Sequence, residues 1–161
     1  MSRVTKLAAI TATSAAAVAL TATAASADSW TNGPFTAKAN SNSLVVKVGG
    51  TTVATCSGST LSGSMTNTGA FSVTGANATG CGVTVTPTGF PWSGSFTSGT
   101  TKINGFKMTA LGCTYTGNLS GPYTGTAPPA TVTFTNQPVT GSGLLCASNV
   151  TVSVTYVFTQ P

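Results

Sequence analysis

The C-terminal segment limits the fold more than any other. Val150, Val152, Val154, Tyr156 and Phe158 alternate with Thr151, Ser153, Thr155 and Thr159, and only Val157 breaks the pattern. A period of two places successive side chains on opposite faces of a pleated strand, so this run reads as a half-buried β-strand. Shorter runs repeat the pattern. Leu44, Val46 and Val48 share a face, as do Val83 with Val85 in the run 82–86 and Val132 with Phe134 in the run 130–135. Lys102 to Met108 is strand-like, with Gly105 placed for a bulge. Gly49-Gly50 joins two such runs and predicts a hairpin. Turn signals fall between runs at Asn32-Gly33-Pro34, Pro87-Thr88-Gly89, Asn104-Gly105, Ala127-Pro128-Pro129 and Gly141-Ser142-Gly143. No segment shows the i, i+3, i+4, i+7 spacing of an amphipathic helix. The expected fold is all-β: a disulfide-stapled β-sandwich of about eight to ten short strands, with a β-barrel as the alternative.

The first 27 of the 161 residues are of another kind. Arg3 and Lys6 precede a modest apolar stretch, Leu7 to Leu20, and Ala25-Ser26-Ala27 has the form of a small-residue cleavage site. Residues 1–27 therefore read as a secretory signal peptide, and 28–161 as one domain. No later apolar run reaches the roughly 18–20 residues of a membrane-crossing helix. The expected location is extracellular or cell-wall associated. After residue 27 there are 28 Thr, 15 Ser and 19 Gly, a composition suited to pleated strands and turns.

Charge restricts the chemistry further. Residues 28–161 carry Lys38, Lys47, Lys102 and Lys107 against Asp28, with no Arg, Glu or His. Triads built on His, paired carboxylates and His-based metal sites therefore lack their parts. A Ser-Lys dyad needs a buried Lys, but Lys47 and Lys102 alternate with apolar neighbours as outward-facing residues do. Four dispersed lysines make no basic stripe for nucleic acid. The expectation is a protein that is not an enzyme and takes no cofactor or metal.

Four cysteines, Cys56, Cys81, Cys113 and Cys146, allow three disulfide pairings. A weak internal repeat bears on the choice. Cys56 to Gly63 resembles Cys113 to Gly121, and Cys81 to Thr86 resembles Cys146 to Ser153. These matches outline two pseudo-repeats, at about 43–92 and 101–161, and favour Cys56 with Cys81 and Cys113 with Cys146. Among the aromatics, Trp92 in Phe90-Pro91-Trp92, Tyr115 and Tyr123 are the candidates for ligand contact, with a core plug the competing role for Trp92.

Several segments together resemble small secreted four-cysteine proteins of high-GC Gram-positive (actinobacterial) bacteria. They are the Ala/Thr-rich leader, Thr55-Cys56, Gly80-Cys81 with Val83 to Pro87, Gly89 to Trp92, Gly112-Cys113 and the terminal Thr155-Tyr156 with Pro161. The resemblance implies an all-β, disulfide-stapled module and no particular activity. The functional expectation is a secreted, non-catalytic module for binding or structure. Its expected partner is an envelope glycan, another secreted protein or a second copy of itself. The alternative is a subunit of an oligomeric β-pore or toxin assembly, because 149–159 has the length and alternation of a membrane-crossing strand.

Overall fold

The computed structural model describes residues 28–161, and the signal-peptide expectation for 1–27 lies outside the described residues. Eleven strands follow one another: β1 (Gly33–Ala39), β2 (Leu44–Val48), β3 (Thr51–Cys56), β4 (Gly58–Met65), β5 (Ala70–Thr79), β6 (Val85–Pro87), β7 (Trp92–Thr97), β8 (Thr100–Ala110), β9 (Cys113–Thr124), β10 (Ala130–Ser142) and β11 (Val150–Thr159). No helix occurs among the described residues.

The strands form one antiparallel sheet in the order β1-β4-β5-β7-β8-β9-β10-β11, and β1 pairs with β11 to close it. The architecture is thus the barrel alternative, an eight-stranded ring with extra strands, and not a two-sheet sandwich. Several strands are also longer than expected: β8, β9 and β10 have 11, 12 and 13 residues. Length lets one strand serve both ends of a barrel. β11 pairs with β1 through Tyr156–Thr159 and with β2 through Val150–Ser153, so β1 and β2 lie in succession along one edge. β2 and β3 form the Gly49-Gly50 hairpin, whose φ values of 56° and 87° suit glycine. Gly105, at φ 78°, sits where the β8–β9 register shifts between Ile103 and Phe106, as a bulge. The expected turn at Asn104-Gly105 is this bulge, within β8. The expected strand over 82–86 is shorter: only Val85–Pro87 pairs, as β6 on β8.

The barrel interior takes the alternating apolar residues. Val150, Val152, Val154, Tyr156 and Phe158 are all buried. The end that carries the turns at 66–69, 98–99 and 125–129 is packed with rings. Phe96 meets Trp30, Phe71, Phe158 and Tyr123 at centroid distances of 4.2, 5.3, 5.2 and 5.1 Å. Strand glycines make space for these rings. Gly94 pairs with Phe71 and lies under its ring, and a methyl group there would come within 2.2 Å of ring carbons. The disulfides are Cys56–Cys81 and Cys113–Cys146, and no cysteine is free among the described residues.

Candidate functional site

The opposite end of the barrel is built differently. It carries the turns at 49–50 and 111–112 and the loops 80–84 and 143–149. Here the ring wall is incomplete. β3 ends the strand order with one edge unpaired, and β6 pairs only with β8. The Cys56–Cys81 disulfide ties β3 to the segment leading into β6 without any ladder between them. A mouth of about 80 Å³ opens beside this slot. Its lining is apolar: Val46 and Val48 of β2, Val53 and Ala54 of β3, Val83 and Val85, Met108, Ala110 and Leu111, Tyr115, and Val150.

Below the mouth lies an inner cavity of about 30 Å³, close to one water molecule's share of liquid volume. Leu61, Ala76, Ala78, Trp92, Ile103, Leu119, Val152 and Val154 are among its walls. Val85 and Met108 line both spaces and form the partition between them. Among the described residues, no charged side chain lines either space. The inner cavity has one polar pair. Ser59 Oγ donates to the Asn77 carbonyl at 3.0 Å and lies 2.7 Å from Tyr156 Oη. With the serine proton committed to the carbonyl, the tyrosine donates to Ser59 and keeps its own lone pairs free. Burial pushes the Tyr156 hydroxyl up to about 12, so it stays protonated at any ordinary pH.

The rim is apolar and wet. Leu144 and Leu145 are fully exposed at 98% and 104%, Leu111 at 80% and Val53 at 56%. The four occupy turns, loops or a strand start at the same end, and the Cys113–Cys146 disulfide fixes the leucine-bearing loop to the start of β9. Scattered exposed leucines are ordinary, but here Val53 and Leu111 line the opening itself, and Leu144 and Leu145 stand on the loop tied beside the 111–112 turn.

The aromatics singled out in the sequence do not form one platform. Trp92 is buried in the inner cavity wall, with Nε1 donating to the Thr88 carbonyl at 2.9 Å. Tyr115 lines the mouth. Tyr123 belongs to the far end, against Trp30 and Phe96, and its hydroxyl donates to Asp28. Sequence reasoning missed the rim leucines and the Ser59–Tyr156 pair. Leu144-Leu145 beside Cys146 is the one signal that marks the rim: two large apolar residues in a Gly-Ser-Gly loop, outside any alternating run. No signal in sequence pairs Ser59 with Tyr156, which are 97 residues apart.

The arrangement supports binding more readily than catalysis. No cluster of three His, Cys, Asp or Glu side chains exists among the described residues, and no described helix is long and apolar enough to cross a membrane. Residues 1–160 match the family described as "Alkane oxidation protein activator PraA/PraB-like", and the chain belongs to that family. No curated protein and no solved structure matches it.

Proposed function

We propose that this protein is an exported, non-catalytic accessory factor that promotes alkane oxidation by engaging hydrocarbon through the apolar end of its barrel. The family description names an activator of oxidation, and the chain lacks His, Glu and clustered carboxylates for chemistry of its own. The observation that carries the reading is the open end, where Val53 and Leu111 line an uncharged mouth and Leu144 and Leu145 stand fully exposed on a loop at the same end. Each leucine moved from water into hydrocarbon contributes about 2 kcal/mol, enough in concert to hold a small protein at an oil–water boundary. The remaining wall is hydroxyl-rich and keeps the rest of the molecule in water. Two disulfides suit an oxidising, extracytoplasmic compartment, in line with the leader-like residues 1–27. The envelope-glycan reading has less to rest on, since the candidate aromatics are dispersed or buried.

The pore reading has an observation against it. A membrane barrel turns its apolar residues outward. Here Val150, Val152, Val154, Tyr156 and Phe158 are buried in the barrel interior, and Thr151, Ser153 and Thr155 lie on the other face.

Pendant-drop tensiometry at a hexadecane–water interface tests the proposal, with stimulation of hexadecane oxidation by washed cells as the second readout. The Leu144→Ser/Leu145→Ser protein should lose most of its interfacial activity and its stimulation, while its melting temperature stays put because both residues are solvent-exposed. Undiminished activity in both assays would reject the reading.

A further inference from the structure

The mouth and the inner cavity share Val85 and Met108 as a common wall, and movement of these two would join them into one recess with the Ser59–Tyr156 pair at depth. We infer that the recess is a binding site for the end of an unbranched, uncharged aliphatic chain, an alkane methyl end or a primary alcohol, which enters past Val85 and Met108 towards Ser59 and Tyr156. This inference rests on the hydrocarbon reading above and names its ligand class and its site.

Size sets the first limit. Cavities of about 80 and 30 Å³ take a chain end of a few methylene groups, and the rest of the chain would lie along the rim leucines. The partition is soft. Methionine has three rotatable bonds, and Met108 can swing without moving backbone, whereas a branched chain would need β6 to shift as well. β6 is three residues long and paired on one side, which makes it the weakest part of the wall.

Polarity sets the second limit. A carboxylate entering the recess would be stripped of water with no cation to meet it, since no Lys among the described residues lines either space. Among the described residues, the side-chain donors that line the inner cavity are already committed. The Ser59 proton goes to Asn77, the Tyr156 proton to Ser59 and the Trp92 N–H to Thr88. What remains is acceptor capacity on Tyr156 Oη. A terminal hydroxyl, which brings its own proton, can donate there. A methyl end needs nothing. A carboxylate, which needs donors, finds none.

Trp92 provides the reporter. The chain has two tryptophans, Trp92 in the cavity wall and Trp30 at the far end, so Trp30→Phe leaves Trp92 as the sole indole. The probe is 1,10-dibromodecane, whose bromine atoms quench an indole on contact. Saturable, one-to-one quenching is expected for the Trp92 reporter and none for the reciprocal Trp92→Phe protein. Ala76→Leu, which fills the cavity from β5, should weaken quenching at least tenfold, and Ala78→Val serves where Ala76→Leu does not fold. Decanol should displace the probe and decanoate should need at least a tenfold higher concentration. Unsaturable quenching, equal quenching of both tryptophans, indifference to the filling variants, or equal competition by decanoate would each overturn the site. Interfacial activity that persists without saturable quenching would end this inference and leave the surface reading intact. Saturable quenching retained in the Leu144→Ser/Leu145→Ser protein while its interfacial activity is lost would support the recess as a site separate from the rim.

Discussion

The sharpest test of the barrel is a pair of neighbouring substitutions on β11. Val154 is 2% exposed and lines the inner cavity, and Thr155 faces outward beside Thr133. Val154→Asp removes a buried valine, about 2 kcal/mol of transfer free energy. It also places a carboxyl among apolar walls. If burial raises that group by about three pH units, the charged form adds about 4 kcal/mol at pH 7. The total, about 6 kcal/mol, equals most of the stability of an ordinary domain. Thr155→Asp loses only a 3.3 Å hydroxyl contact to Thr133 and some strand propensity, about 1 kcal/mol. Thermal melts by circular dichroism should therefore show a near-unfolded Val154→Asp and a Thr155→Asp melting only a few degrees low. The pH dependence follows in sign. The folded-state value is raised above the unfolded one near 3.9, so the charge penalty is absent below about pH 4 and grows as pH rises through the window up to the raised value. Val154→Asp should regain part of its stability near pH 3.5, and Thr155→Asp should not. Equal losses, or a Val154→Asp melt indifferent to acid, would refute the inward register of β11.

Three further outcomes follow from the packing. The native protein should hold a flat melting temperature from about pH 5 to 9, because it has no His or Glu to titrate there. Above about pH 10 it should weaken, because Tyr156 is pushed up to about 12 by burial, and Tyr123 is raised by burial and by its bond to Asp28; stability held by the protonated forms is lost as pH rises through the folded values. Opening Cys113–Cys146, which spans 33 residues, should cost about 3–4 kcal/mol by loop entropy, read as a melting shift of Cys113→Ser/Cys146→Ser. Thr101→Val should raise the melting point by about 3–5 °C, because Thr101 is fully buried and its hydroxyl has no partner, a cost of about 1 kcal/mol.

The strands were legible because their physics is local. A hydroxyl-rich chain with alternating Val, Phe and Tyr has one regular way to bury those side chains, and the β11 run reads correctly residue by residue, including Val157 as the exception. The weak cysteine repeat pointed to the pairing that the structure contains. Closure of the sheet was not local. It depends on β1 reaching β11 across more than a hundred residues, with Ala37 opposite Phe158. Alternation is the same whether the buried face meets a second sheet or the far wall of its own, so period alone could not separate sandwich from barrel. A clue does lie in Gly94 and Gly121, which sit within strands rather than at turns. Gly94 leaves room for the Phe71 ring, and Gly121 lets β9 come close to the Thr133 carbonyl of β10, tight packing that a narrow barrel interior demands.

The site was harder to read for a related reason. Residues that carry chemistry announce themselves by type, and this chain has almost none to announce. Its candidate site is made of what is absent from a wall: a missing ladder between β3 and β6, a mouth lined mainly by Val, Ala, Met and Leu, and leucines with nothing over them. The contrast between the two ends is the argument for function. A barrel that needed only stability would pack both ends as densely as the cluster around Phe96, since each unfilled methyl-sized space costs about 1 kcal/mol. It would also cover Leu144 and Leu145 or replace them with the threonines and serines used elsewhere on its surface. This protein does neither at the mouth, and does both at the far end. The loosely packed, exposed end is also the one that its second disulfide holds in place, so the loop bearing the leucines is fixed where hydrocarbon would meet it.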